Sequence, residues 1–205
     1  MIPLVGIGLF GAFVGVLIWI GRKQHRRLLV NLEALAQRHG LKLVLSRGMT
    51  NSRQVVEGAV RGRTVRFWSF ATGGGKSRQF WVAVGVQPRR VGAFTFRIEP
   101  QGIAARLAEL FGAKEIQVGD PRFDEAWFVR TSHPAEFGAG LLPEIREKLM
   151  AARAAGAKGE FKCEDGFVFY VQNGFFSKDE TVALLESMLP LLSDLADVAE
   201  VCAAE

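Results

Sequence analysis

Residues 54–70 read QVVEGAVRGRTVRFWSF. Val55, Val56 and Val60 precede Arg61-Gly62, and Val65, Phe67, Trp68 and Phe70 follow it. Two runs of β-branched and aromatic residues separated by a glycine-containing break predict two strands. The pattern repeats downstream. Residues 80–86, FWVAVGV, are apolar on both faces and predict a central strand. Phe94, Phe96 and Ile98 alternate with Thr95 and Arg97, as a half-exposed strand does. Upstream, residues 41–45 open the same β-rich region.

Further along, Ile103, Leu107, Leu110 and Phe111 predict a short amphipathic helix stopped by Gly112. Residues 116–118 and 126–130 read as strand segments around a tight turn. Ser132 is placed to cap a helix opening at Pro134, and Pro143 restarts it to residue 155. Asp165-Gly166, between residues 161–164 and 167–172, is a strong two-residue hairpin signal. Ser177 and Glu180 form a capping box for a last helix with the stripe Leu185, Met188, Leu192, Leu195 and Ala199, kinked at Pro190. Hairpins dominate and βα alternation is absent from the first half. The fold class expected is α+β, a mainly antiparallel sheet with flanking helices.

Before the sheet, residues 2–20, IPLVGIGLFGAFVGVLIWI, carry no charge. Nineteen residues at about 1.5 Å each span the roughly 30 Å hydrocarbon core of a bilayer. The run predicts one transmembrane helix. No basic residue precedes it and no small-residue cleavage site follows, which argues against a signal peptide. Arg22, Lys23, Arg26 and Arg27 set the C-terminal flank inside by the positive-inside rule. The expected organisation is a transmembrane anchor at 1–21, a basic flank and helical stalk at 22–40, and a cytosolic α+β domain at 41–205. The chain would then be single-pass in a bacterial inner membrane, N-out and C-in. Leu28, Leu32, Leu35 and Ala36 continue the helical spacing to a stop at Gly40. Within the anchor, Gly8, Gly11 and Gly15 offer a small-residue face for a homodimer.

Charge divides the chain. Residues 22–114 hold 18 Lys/Arg against 4 Asp/Glu, net +14, whereas residues 115–205 hold 8 against 17, net −9. A basic half (41–114 within the domain) suits anionic lipid headgroups, at about 1 kcal/mol per cation near the surface. It equally suits neutralisation by the acidic half (115–205). No nucleic-acid recognition motif accompanies the basic charge, so nucleic acid is not the expected partner.

Candidate chemistry is sparse. Thr72-Gly73-Gly74-Gly75-Lys76-Ser77 invites a phosphate-loop reading, but Phe70 stands where the first glycine belongs and a strand follows instead of a helix. A glycine-rich hairpin loop fits better, with Lys76 and Arg78 at its tip able to touch phosphate. Gly119-Asp120-Pro121 and Asp124 read as a structural turn in which Asp120 caps one helical turn begun by Pro121. Trp68 and Trp81, with Phe67, Phe70 and Phe80, read as cross-strand pairs. Cys163 and Cys202 are too few for a disulfide framework, and Cys163 alternates with Phe161 as a packing residue. His25, His39 and His133 lack metal-ligand spacing, so neither metal nor cofactor is expected.

Residues 115–149, EIQVGDPRFDEAWFVRTSHPAEFGAGLLPEIREKL, resemble a family of bacterial membrane-anchored proteins of unknown function. The shared pattern is an Asp-Pro-x-Phe turn, an apolar strand with a polar end, a short acidic helix, then Leu-Leu-Pro and another helix. The likeness extends through Asp165-Gly166 into the last helix, and more loosely to Val56-Glu57-Gly58 and Gly62-Arg63-Thr64-Val65. It implies an architecture and no chemistry. The function expected is a non-enzymatic binding module on the membrane's cytoplasmic face, with lipid headgroups or a protein as partner. The alternative is a membrane-associated enzyme for a phosphorylated or anionic substrate, using Lys76, Arg78, Asp120 and Asp124.

Overall fold

The computed structural model describes residues 4–47, 52–90, 92–102 and 115–203. The helix expected at 103–111 lies outside them. Eight strands follow a long helix α1 (Leu4–His39): β1 (Lys42–Arg47), β2 (Ser52–Val60), β3 (Arg63–Thr72), β4 (Gln79–Val86), β5 (Phe96–Pro100), β6 (Trp127–Thr131), β7 (Glu160–Glu164) and β8 (Phe167–Asn173). Five shorter helices complete the described chain: α2 (Pro121–Ala126), α3 (Pro134–Gly140), α4 (Pro143–Ala154), α5 (Asp179–Ser187) and α6 (Leu189–Cys202).

The strands form one sheet in the order β1-β2-β3-β4-β8-β7-β5-β6, and every pairing is antiparallel. The mainly antiparallel α+β architecture is therefore present, with β4 central as its two-sided apolar sequence demands. Two hairpins set the register. Arg61 and Gly62 have φ of 51° and 78°, and Asp165 and Gly166 have 50° and 78°. Both central residues lie in the left-handed region, the turn geometry whose twist matches that of paired strands.

Alternation decides the two faces. Val56, Phe67, Val84, Tyr170, Phe161, Ile98 and Val129 are buried on one face, under the helices. α1 lies over β1 and β2, α6 over β4 and β8, and α3 on β6. On the opposite face Trp68 packs against Phe169 and Phe167, with ring centroids 5.5 and 6.4 Å apart. It lies across Gly85, where a Cβ would come within 3.1 Å of the indole. Phe70 and Trp81 are direct cross-strand partners and stack at 6.4 Å.

The membrane-spanning reading is overturned. Among the described residues no helix is long and apolar enough to cross a membrane. The apolar run ends at Ile20, and the helix continues unbroken through Arg22, Lys23, Arg26 and Arg27 into the domain, where Leu32 and Leu35 are fully buried. The anchor at 1–21 and the single-pass, N-out/C-in inner-membrane placement lose their support with it.

Local expectations fail in four more places. Residues 116–118 form no strand, although the Ile116 N–H donates to the Val129 carbonyl at 3.0 Å. His133, not Ser132, precedes α3, because the Ser132 hydroxyl is taken by the Thr95 carbonyl and His133 Nδ1. The Ser177–Glu180 capping box does not form: α5 opens after Lys178 with no side-chain cap. Pro190 does more than kink the last helix. It stands in the first turn of α6, which is separate from α5.

Candidate functional site

A cleft of about 340 Å³ opens where α1, the β3–β4 hairpin and the loop after β8 meet. α1 supplies Gly21, Gln24, His25 and Leu28, which share one helix face by their spacing of three and four. The β3–β4 hairpin supplies Phe70, Ala71, Arg78, Phe80 and Trp81; the loop after β8 supplies Phe175 and Phe176. Two hydrogen bonds hold the walls together. Asn31 Nδ2 donates to the Phe176 carbonyl and to Asp179 Oδ1, both at 2.9 Å.

The lining is aromatic with cationic and polar groups at its edge. The Phe80 and Phe175 rings lie 5.1 Å apart and remain 40% and 47% exposed. The Arg78 guanidinium sits 5.2 Å from the Phe80 ring centroid, a cation–π arrangement. Trp81 donates its indole N–H to Thr72 Oγ1 at 2.8 Å. The glycine-rich segment is a hairpin loop with a single 3-10 turn, Gly75–Ser77, closed by Ser77 N–H and Oγ both donating to the Gly74 carbonyl. No helix follows it, so it builds no phosphate cradle.

The structure thus brings Arg78 beside α1 and leaves the other basic candidates apart. Arg22, Lys23, Arg26 and Arg27 are exposed and outside the cleft lining, with Lys23 Nζ 5.0 Å over the Trp19 ring. Lys76 is exposed at the hairpin tip. Gly8, Gly11 and Gly15 all lie on α1, and a Cβ at Gly15 would meet open space.

The acidic candidates are committed to their own turn. Asp120 Oδ1 accepts from the Phe123 N–H at 3.3 Å, with Pro121 opening α2. Asp124 accepts from the N–H groups of Val118 and Gly119. Gly119 has a φ of 77°, and Arg146 stands 3.8 Å from Asp120. This turn leads into edge strand β6, four inter-strand steps of about 4.8 Å from β4, or roughly 19 Å. Asp120 and Asp124 therefore do not share a site with Lys76 and Arg78.

Among the described residues no group of three His, Cys, Asp or Glu could hold a metal ion. Cys163 and Cys202 are both buried; burial, with Cys202 nearby, pushes the Cys163 thiol up to about 11. His25 and the Phe175-Phe176 pair escaped sequence reasoning as site residues. The available signal was two consecutive phenylalanines after Gly174, in a stretch with no strand or helix pattern.

The fold and this cleft define a helix-backed antiparallel α+β domain with an open, aromatic, cation-edged site. No protein family and no curated protein matches the chain. Its fold is similar to that of the mycobacterial trehalose monomycolate transport factor A, TtfA, known from a crystal structure. The TM-score is 0.52 at 12% identity, over 86% of this chain and 93% of that one. At this identity the likeness is one of fold alone.

Proposed function

We propose that the chain is a non-enzymatic binding module that takes an anionic amphiphile in the cleft between α1 and the β3–β4 hairpin. The carrying observation is the lining: Phe70, Phe80, Trp81 and Phe175 surround an opening edged by Arg78 and His25. Removing an apolar tail from water contributes about 0.8 kcal/mol per buried methylene, and a guanidinium matches a phosphate or carboxylate bidentately. The fold neighbour's name speaks of trehalose monomycolate transport; the reading offered for this chain rests on its own cleft.

Calorimetric titration of the full chain with dodecyl phosphate below its micellar concentration tests the proposal. Saturable binding is expected, weakened about tenfold by Arg78→Gln and again by Phe175→Ser. Inorganic phosphate and neutral dodecyl maltoside should bind more weakly than dodecyl phosphate. Affinity unchanged in both variants, inorganic phosphate binding as tightly, or no saturable binding would overturn it.

A further inference from the structure

A second concavity lies in the helix layer on the far side of α6 from α1. It is a groove of about 520 Å³ between α3, α4 and α6. Ile145 and Val198 form part of its apolar floor, and Leu142 and Val201 stand 54% and 71% exposed beside it. Its rim is acidic: Glu136, Glu144, Asp194 and Asp197, against the single cation Lys148. Lys148 pairs with Asp194 at 2.5 Å, and Arg63 pairs with Asp197 at 2.5 Å. Glu136 and Glu144 keep the rim acidic after both pairings.

The outward face of α1 carries the complementary pattern. Val16, Ile20, Lys23, Arg27 and Val30 recur at spacings of four, three, four and three, a continuous stripe on one side of a helix. Val16, Trp19 and Val30 are 53%, 62% and 61% exposed, and Arg26 adds a further exposed cation. From Leu28 onward the opposite face packs on β1, β2 and α5. A helix cannot dock its outward face into a groove on the far side of its own domain, but it can reach another molecule's.

We infer that two copies of this chain pair by laying the outward stripe of α1 from each into the acidic groove of the other. This is helix-in-groove recognition, with Lys23, Arg26 and Arg27 meeting Glu136 and Glu144. A reciprocal exchange closes on itself as a two-fold dimer and hides both exposed apolar surfaces at once.

Sedimentation velocity of the full chain over a concentration series tests the inference. A dimer is expected whose dissociation constant rises at least about tenfold in E136K/E144K and in R26E/R27E. All four positions are polar groove-rim or exposed helix sites, and circular dichroism confirms that each variant folds. Combining both pairs of reversals in one chain should restore the dimer. A monomeric wild type would overturn the inference. So would a dimer indifferent to E136K/E144K, which would place the contact between the α1 helices themselves, and so would a combined variant no tighter than either pair alone.

Discussion

Glu186 joins two elements that are far apart in sequence. Its carboxylate takes Arg38 Nε and Nη2 at 2.9 and 2.8 Å and His39 Nε2 at 2.9 Å, clasping the end of α1 to α5. Burial alone would raise its pKa, but the hydrogen bonds from Arg38 and His39 outweigh burial and hold it below the ordinary 4.5. A carboxyl with a lowered folded-state pKa contributes stability that is present above the unfolded value and lost as pH falls through the folded one. Arg38 is 51% exposed, so solvent screening keeps the contribution to about 1 kcal/mol. Glu186→Gln should therefore lower stability by about that amount at pH 7, and urea titrations should show the gap closing once pH drops below about 4.5. A gap that stays constant to pH 3 would refute the clasp. Other cross-half pairs follow the same logic of charge: Arg63 is 9% exposed and holds Asp197 and Glu200, and Arg97 holds Glu160. Part of the +14 against −9 division is thus neutralised inside the fold.

The elements are governed by their turns. Asp165 and Gly166 must both adopt positive φ for β7 and β8 to pair in register. Gly166→Val should cost about 1–2 kcal/mol in denaturant unfolding, because a β-branched side chain is strained in the left-handed region. The same substitution at exposed Gly21, inside a helix and with open space around it, should cost less than about 0.5 kcal/mol. Such local rules made much of the sheet legible in sequence. Alternation in Phe94, Phe96 and Ile98 named the buried side of β5, the two-sided apolar run placed β4 centrally, and Asp165-Gly166 located its hairpin. What failed were signals satisfied elsewhere. Ser132 looked like a cap, but its hydroxyl is bound to Thr95, a neighbour only through the β5–β6 pairing. The cleft was half legible: Arg78 was flagged from its loop, whereas His25 and Phe175 meet it only because α1 folds back along the sheet. An uncharged run at residues 2–20 pointed to a membrane by composition alone, and no property of that run reveals that its helix goes on to bury Leu32 and Leu35 in the domain.

At the scale of the molecule, one helix serves the sheet, the cleft and the outer surface together. Its inward residues close the cleft, Leu32 and Leu35 enter the core, and its outward stripe stays in solvent. Asn31 is the pin between the first two roles. Asn31→Ala removes its bonds to Phe176 and Asp179 and should raise amide hydrogen exchange up to about tenfold in residues 174–178, leaving β4 unchanged; a net hydrogen bond contributes about 1 kcal/mol. Exchange that rises equally in β4 would mean global destabilisation and refute the local pin.

The unbroken course of α1 has a mechanical meaning. Thirty-six residues make a rod of about 54 Å, and among the described residues its fastenings to the domain run from Leu28 to His39. The remainder is a lever arm. A lateral force on its far end would act as a torque about the Asn31 and Glu186 fastenings, with the cleft residues Gln24 and His25 just beyond that fulcrum.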